Sequence, residues 1–244
     1  MKIIDVNVRL GARNSRGEIV TAETLTAVMK RFHIAHAVAS HEMALLDPLY
    51  GNLKMKQAAE HSDGSIGVCA VLDPILNENC IPGAGSLTER LKSFAPEALR
   101  ICPENNRTVF HPLYWQEILE AAEELAFPLL LDFDYPPEFF LMLPEVSAQY
   151  ANVKFVMLRY GLCRARHILP LLKSRKNIWF TVEKMLDYMQ IEELYAQMCC
   201  DRLLFASDYP QTEPSGVMGL ITLADIPAQA KAQILHGNWE AMRV

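Results

Sequence analysis

With 244 residues, 51% of them hydrophobic and 21% charged, the chain carries enough apolar side chains for a large buried core, which excludes a disordered tail, a fibre or a disulfide-stapled mini-protein. A formal net charge of −6, with Lys and Arg scattered along the chain, excludes the basic stripe that neutralises a nucleic-acid backbone. The six cysteines form no CxxC pair and no apolar run approaches the ~18 residues that span a bilayer, so a reducing, cytoplasmic compartment without signal peptide or membrane segment is expected.

In chain order, apolar and β-branched runs bounded by turn signals read as strands: IIDV near residue 3, IAHAVAS near 34, IGVCAVL near 66, ALRIC near 98, PLLLDF near 128, VKFVML near 153, NIWFTV near 177 and RLLFAS near 202. Their starts are separated by roughly 24 to 32 residues, the length of a strand, a helix and two short loops. Between them the period becomes helical. Ile118, Leu119, Ala122, Leu125 and Ala126 share one face, as do Ile191, Leu194, Tyr195 and Met198. Asp187 with Gln190 reads as a capping box, and Pro227 as the first turn of the last helix. Alternating strands and helices with near-continuous apolar strands imply a parallel sheet covered on both faces. Eight such units in one domain, residues 1–244, predict an α/β fold, a single (β/α)₈ TIM barrel; an open doubly wound sheet is the alternative. The absence of GxGxxG and GxxxxGK[ST] after any strand argues against nucleotide binding, and no cofactor is expected.

In a barrel of this kind chemistry collects at the C-terminal strand ends. Those ends carry Asp5, Asn7 and Arg9 at one parity on the first strand, Ser40 and His41 on the second, and Asp73 on the third. The fourth offers Arg100, Cys102 and Glu104, with His111 in the following loop; the fifth Asp132 and Asp134; the sixth Arg159; the seventh Thr181 and Glu183; and the eighth Ser207 and Asp208.

The opening MKIIDVNVRLG resembles the MxIIDxHxHxG start of the amidohydrolase superfamily, in its amidohydrolase-related (amidohydrolase 2) TIM-barrel branch. AVASHEMALLDPLYGN, VCAVLDP, NVKFVMLRYG, RLLFASDYP and ILHGNWEAM follow in the order such proteins show, so the resemblance covers essentially the whole chain. It implies a metal-dependent hydrolase fold with a pair of metal-ligating histidines on the first strand, where this chain has Asn7 and Arg9. The histidines expected at the fifth and sixth strand ends fall at Asp132 and Arg159, and of this set only the last-strand aspartate, Asp208, is kept.

Three readings of this degenerate metal site follow. In the first, an enzyme works without a tightly bound metal: Asp208 or His41 is the base, and Arg9 with Arg159 holds a small anionic substrate, with Asn7, Asp132, Glu183 and His111 as further contacts. The resemblance then implies hydrolysis, lactone opening or decarboxylation of a small carboxylated compound. In the second, Arg9, Arg159, Asp132 and Asp208 form an internal salt-bridge network in a catalytically silent binding or scaffold protein. In the third, a hard cation sits on Asn7, Asp132 and Asp208. His41 also reads as a loop histidine bonded to backbone, Asp208 as a helix cap, Glu183 as a surface carboxylate and Asp73 as a turn residue. His33, His36, His61, His167 and His236 read as surface or structural, and Cys102 has no activating partner in the sequence. The expected partner is a small anionic molecule, with neither nucleic acid nor membrane, and a homodimer stays open.

Overall fold

The computed structural model describes residues 2–74, 80–133, 137–159, 165–185 and 187–243, and among these the side chains at 137–141, 165 and 166 are outside the description. Asp134, named among the strand-end residues, falls outside it. The expected strands form an eight-stranded parallel sheet in sequence order. They are β1 (Ile4–Leu10), β2 (His36–His41), β3 (Ile66–Leu72), β4 (Ala98–Ile101), β5 (Leu129–Asp132), β6 (Phe155–Leu158), β7 (Ile178–Thr181) and β8 (Leu203–Leu204). The last strand returns to the first. Val6 N–H donates to the Phe205 carbonyl at 3.1 Å, Arg9 N–H donates to the Tyr209 carbonyl at 2.9 Å, and Val8 bridges Tyr209 in parallel. The fold is a (β/α)₈ barrel.

Helices α1 (Ala22–Phe32), α2 (Pro48–Glu60), α3 (Leu87–Phe94), α4 (Pro112–Leu125), α5 (Pro137–Gln149), α6 (Ala165–Ser174), α7 (Gln190–Ala196), α8 (Pro214–Leu223), α9 (Ala228–Ala232) and α10 (Asn238–Met242) follow or flank the strands. Ser86 and Glu89 form a reciprocal capping box at the start of α3, which satisfies amides that a helix start leaves open. The box expected from Asp187 and Gln190 does not form: Met189 occupies the N-cap of α7 without a side-chain bond, and Pro227 is the N-cap of α9, outside its first turn. Ile118, Leu119 and Ala122 are buried as expected, whereas Tyr195 and Met198 are exposed because α7 ends at Ala196 and buries only Gln190, Ile191 and Leu194.

Two apolar layers result. Val8, Leu10, Ala37, Ala39, Leu99, Ile101, Leu131 and Met157 point outward under the helices, while Ile4, Val6, Val38, Ala98, Leu130, Val156 and Leu204 fill the barrel floor with Trp239 and Met242 of α10. This assignment corrects the parity expected for β1. Its register shifts between Asp5 and Val8, so Ile4 and Val6 face the interior below the irregularity and Asn7 and Arg9 face it above. Asp5 is left on neither set: its Oδ1 accepts the Ser207 and Asn7 amides at 2.9 and 3.3 Å. No helix among the described residues is long and apolar enough to cross a membrane.

A candidate acid–base site at the barrel mouth

Above the apolar floor the same inward positions turn polar. Arg100 continues the face of Ala98, Asp132 that of Leu130, and Ser40 that of Val38, all at the C-terminal strand ends. A charge there loses most of its water and must find partners within the barrel. On the β4–β6 side it does. Arg100, 1% exposed, directs Nε (3.0 Å) and Nη2 at Oδ2 of Asp132, and donates through Nη1 to Ser40 Oγ at 2.9 Å and Asn7 Oδ1 at 3.2 Å. Arg159 Nη2 takes the other oxygen of Asp132. Burial alone would raise the Asp132 carboxyl, but the guanidinium groups of Arg100 and Arg159 outweigh it and hold it far below the usual carboxylate range.

The β1, β7 and β8 side is less complete. Asn7 Nδ2 reaches Glu183 Oε1 at 3.4 Å and Asp208 Oδ1 at 3.3 Å, while the Arg159 amide donates to Glu183 Oε1 at 2.8 Å. Among the described residues, Glu183 Oε2, Asp5 Oδ2 and Arg9 Nη2 are buried without a hydrogen-bond partner. Desolvation pushes both Glu183 and Asp5 up to about 7 and also raises Asp208, whose nearest cations stand off: Arg9 Nη2 at 4.0 Å and Lys184 Nζ at 3.9 Å. Arg9 hydrogen-bonds only outward, from Nη1 to Glu42 Oε2 at 3.2 Å. Asp208 (φ 58°) and Arg159 (φ 57°) hold left-handed backbone outside any helix cap, a conformation costly for these residues and characteristic of functional loops.

The mouth therefore gathers Asn7, Arg9, Asp132, Arg159, Glu183 and Asp208 from the expected residues. Asp208 is not a side-chain helix cap; its carbonyl makes the turn to Gln211 and its carboxylate faces the interior. His41 and His111 are bound elsewhere: each accepts a backbone amide at Nδ1, His41 from Met43 at 3.2 Å and His111 from Leu113 at 3.1 Å, capping a 3₁₀ turn and α4 respectively. Burial also pulls the His41 ring below its usual range. The Cys102 thiol, pushed up to about 12 by burial, is protonated and a poor nucleophile. Sequence reasoning placed Arg100 and Ser40 at strand ends without giving either a role in the site, and did not name Glu42, which meets Arg9, or Lys184, which faces Asp208. A charged residue inside the apolar run ALRIC was the available signal.

Among the described residues, the donors around Asp132 do not suit a tightly held divalent ion. Such an ion wants three or four N, S or O donors at about 2 Å. Here Asn7 Oδ1 is engaged by Arg100, both oxygens of Asp132 are engaged by guanidinium groups, and Arg9 and Arg159 are permanent cations, which repel a metal.

The mouth thus joins raised carboxyls to buried arginines at the strand ends, the place where TIM barrels carry their sites. The family model Amidohydro_2, described as amidohydrolase, matches residues 12–242, and the chain belongs to the amidohydrolase family. No curated protein matches the sequence. Among solved structures, a probable 2-pyrone-4,6-dicarboxylic acid hydrolase from Acinetobacter baumannii with citric acid bound is 16% identical (TM-score 0.74; 100% of this chain and 99% of that chain covered). The 5-carboxyvanillate decarboxylase of Sphingomonas paucimobilis is 11% identical (TM-score 0.73; 99% and 98%). A 2,6-dihydroxybenzoate decarboxylase from Rhizobium is 10% identical (TM-score 0.76; 100% and 98%). At these identities the likeness establishes the fold.

Proposed function

We propose that the barrel mouth binds a small carboxylated compound and performs proton-transfer chemistry on it, as hydrolysis, lactone opening or decarboxylation, without a tightly bound metal. The observation that carries this reading is the incomplete half of the mouth: burial raises the Asp208 carboxyl and pushes Glu183 up to about 7, beside a guanidinium nitrogen with no hydrogen-bond partner among the described residues. A carboxyl near 7 is populated in both protonation states at neutral pH, the condition for general acid–base work. Arg9 supplies the anion anchor, since Arg159 is committed to Asp132. Asp208 serves as base and Glu183 as its acid counterpart, with Asn7 orienting both. Family membership and neighbours named for acting on carboxylated compounds support the substrate class.

The second reading, a catalytically silent binding or scaffold protein, is favoured by one observation, the saturation of Asp132 by two arginines. A turnover screen of metal-depleted protein on aromatic carboxylic acids and carboxylated lactones, following CO₂ or acid release, separates them. Turnover is expected, and Asp208→Asn and Glu183→Gln should abolish it while carboxylate binding persists. Activity that appears only with added Mn²⁺ or Zn²⁺, or that survives both substitutions, overturns the proposal.

A further inference from the structure

Arg9 is an incompletely satisfied cation of the mouth. Its side chain is 10% exposed, Nη2 has no hydrogen-bond partner, and Asp208 lies 4.0 Å away, beyond bonding range. Its one hydrogen bond goes to Glu42, whose side chain is 39% exposed. The register explains the meeting: Arg9 pairs with Ser40 across β1 and β2, so Glu42, two residues on, rises over the strand end and closes the solvent side of the guanidinium. The two partners differ in what holds them. Arg9 sits on a buried strand; Glu42 opens a four-residue 3₁₀ turn and reaches Arg9 from solvent.

The charges around Arg9 make this contact more than a surface ion pair. Arg100 and Arg159 share the single negative charge of Asp132, and Asp208 faces both Lys184 and Arg9 at long range. Glu183 and Asp5 titrate near neutrality, so neither is a full counter-charge. Among the described residues, Glu42 is the carboxylate within hydrogen-bond distance of the Arg9 guanidinium.

We infer that Glu42 is an internal stand-in for the ligand's carboxylate: it occupies Arg9 in the free protein, and a bound carboxylate displaces it. This rests on the reading of Arg9 as the anion anchor. Glu42 thereby sets the affinity threshold of the site and favours ligands whose carboxylate can engage both terminal nitrogens of Arg9, which one oxygen of Glu42 does not. Glu42, the exposed partner, is solvated and weakly held, so the competition it imposes amounts to about fivefold in affinity.

The experiment is calorimetric titration with benzoate, using benzamide as the uncharged control, on the parent, Glu42→Gln, Glu42→Ala and Arg9→Gln. Melting temperatures are recorded first to confirm that each variant is folded. Both Glu42 variants are expected to bind benzoate about fivefold more tightly than the parent, with benzamide unaffected, and Arg9→Gln to lose benzoate binding. If the Glu42 variants bind benzoate as weakly as the parent, or not at all, the stand-in role is wrong. If Arg9→Gln binds as the parent does, the anchor itself is wrong, and the proposed function falls with it.

Discussion

The two halves of the barrel mouth use the same residue types and reach opposite electrostatic ends. Around Asp132, guanidinium groups take both carboxylate oxygens and hold the group ionised far below its usual range. Around Asp208 and Glu183 the cations stand near 4 Å or point elsewhere, polar atoms are left without hydrogen bonds, and burial raises both carboxyls. A buried charge with complete partners contributes to stability but has nothing left to offer a ligand. An incomplete one is held at a cost by the rest of the fold and is ready to exchange protons or partners.

That contrast can be broken on its saturated side first. Asp132→Asn strands Arg100 and Arg159 and should cost roughly 3–5 kcal/mol, lowering the melting temperature by about 6–20 °C for a domain of this size. Arg100→Met should cost as much, and the double variant Arg100→Met with Asp132→Asn less than the two losses added, because only Arg159 is then left without its carboxylate. Thermal denaturation of the three proteins decides it; additive losses would dissolve the hub.

Asp208→Asn sharpens the other side. Because burial raises the Asp208 carboxyl, its ionised form is not what stabilises the fold, and the variant should melt within a few degrees of the parent while losing turnover. A loss as large as that of Asp132→Asn would make Asp208 part of the structural network.

A smaller effect, with a definite sign, comes from Glu183. Burial pushes it up to about 7 in the fold, above its ordinary value of 4.5, so protonation favours the fold. Its contribution is complete below the unfolded value and is lost as pH rises through 7. Glu183→Gln keeps a neutral acceptor for the Arg159 amide, so its melting temperature relative to the parent should rise from about pH 4 to about pH 8. A constant difference across that range would mean that Glu183 is not titrating there.

The smallest effect should be that of metal. Chelators and added Zn²⁺ or Mn²⁺ should leave the melting temperature unchanged, and elemental analysis should find less than about half an equivalent. A stoichiometric ion whose removal lowers stability would reassign Asp132 and Asp208 as ligands.

Much of the site was legible strand by strand. Asn7, Arg9, Asp132, Arg159, Glu183 and Asp208 all sit where strand ends predict, and Arg100 betrayed itself as a charge in an apolar run. The histidines were less readable. His41 and His111 stand before helical turns, and whether such a ring caps an amide or faces the barrel depends on a side-chain rotation that spacing does not report. The parity of β1 misled for a similar reason: a one-residue irregularity exchanges inside for outside, and nothing in IDVNVRL marks it.

What the chain determines by itself is the repeat. Period, spacing and turn residues are local, and eight apolar runs separated by amphipathic helices leave a barrel or an open doubly wound sheet as the arrangements that cover the strands. The order of the motifs likewise declares the family before any contact is known. Only closure decided which charges meet. Asn7 lies 93 positions from Arg100, 176 from Glu183 and 201 from Asp208, and it touches all three because the last strand returns to the first. Whether a carboxyl there ends far below its usual range or near 7 depends on the partners that closure delivers and the water it removes, and both are properties of the packed interior alone.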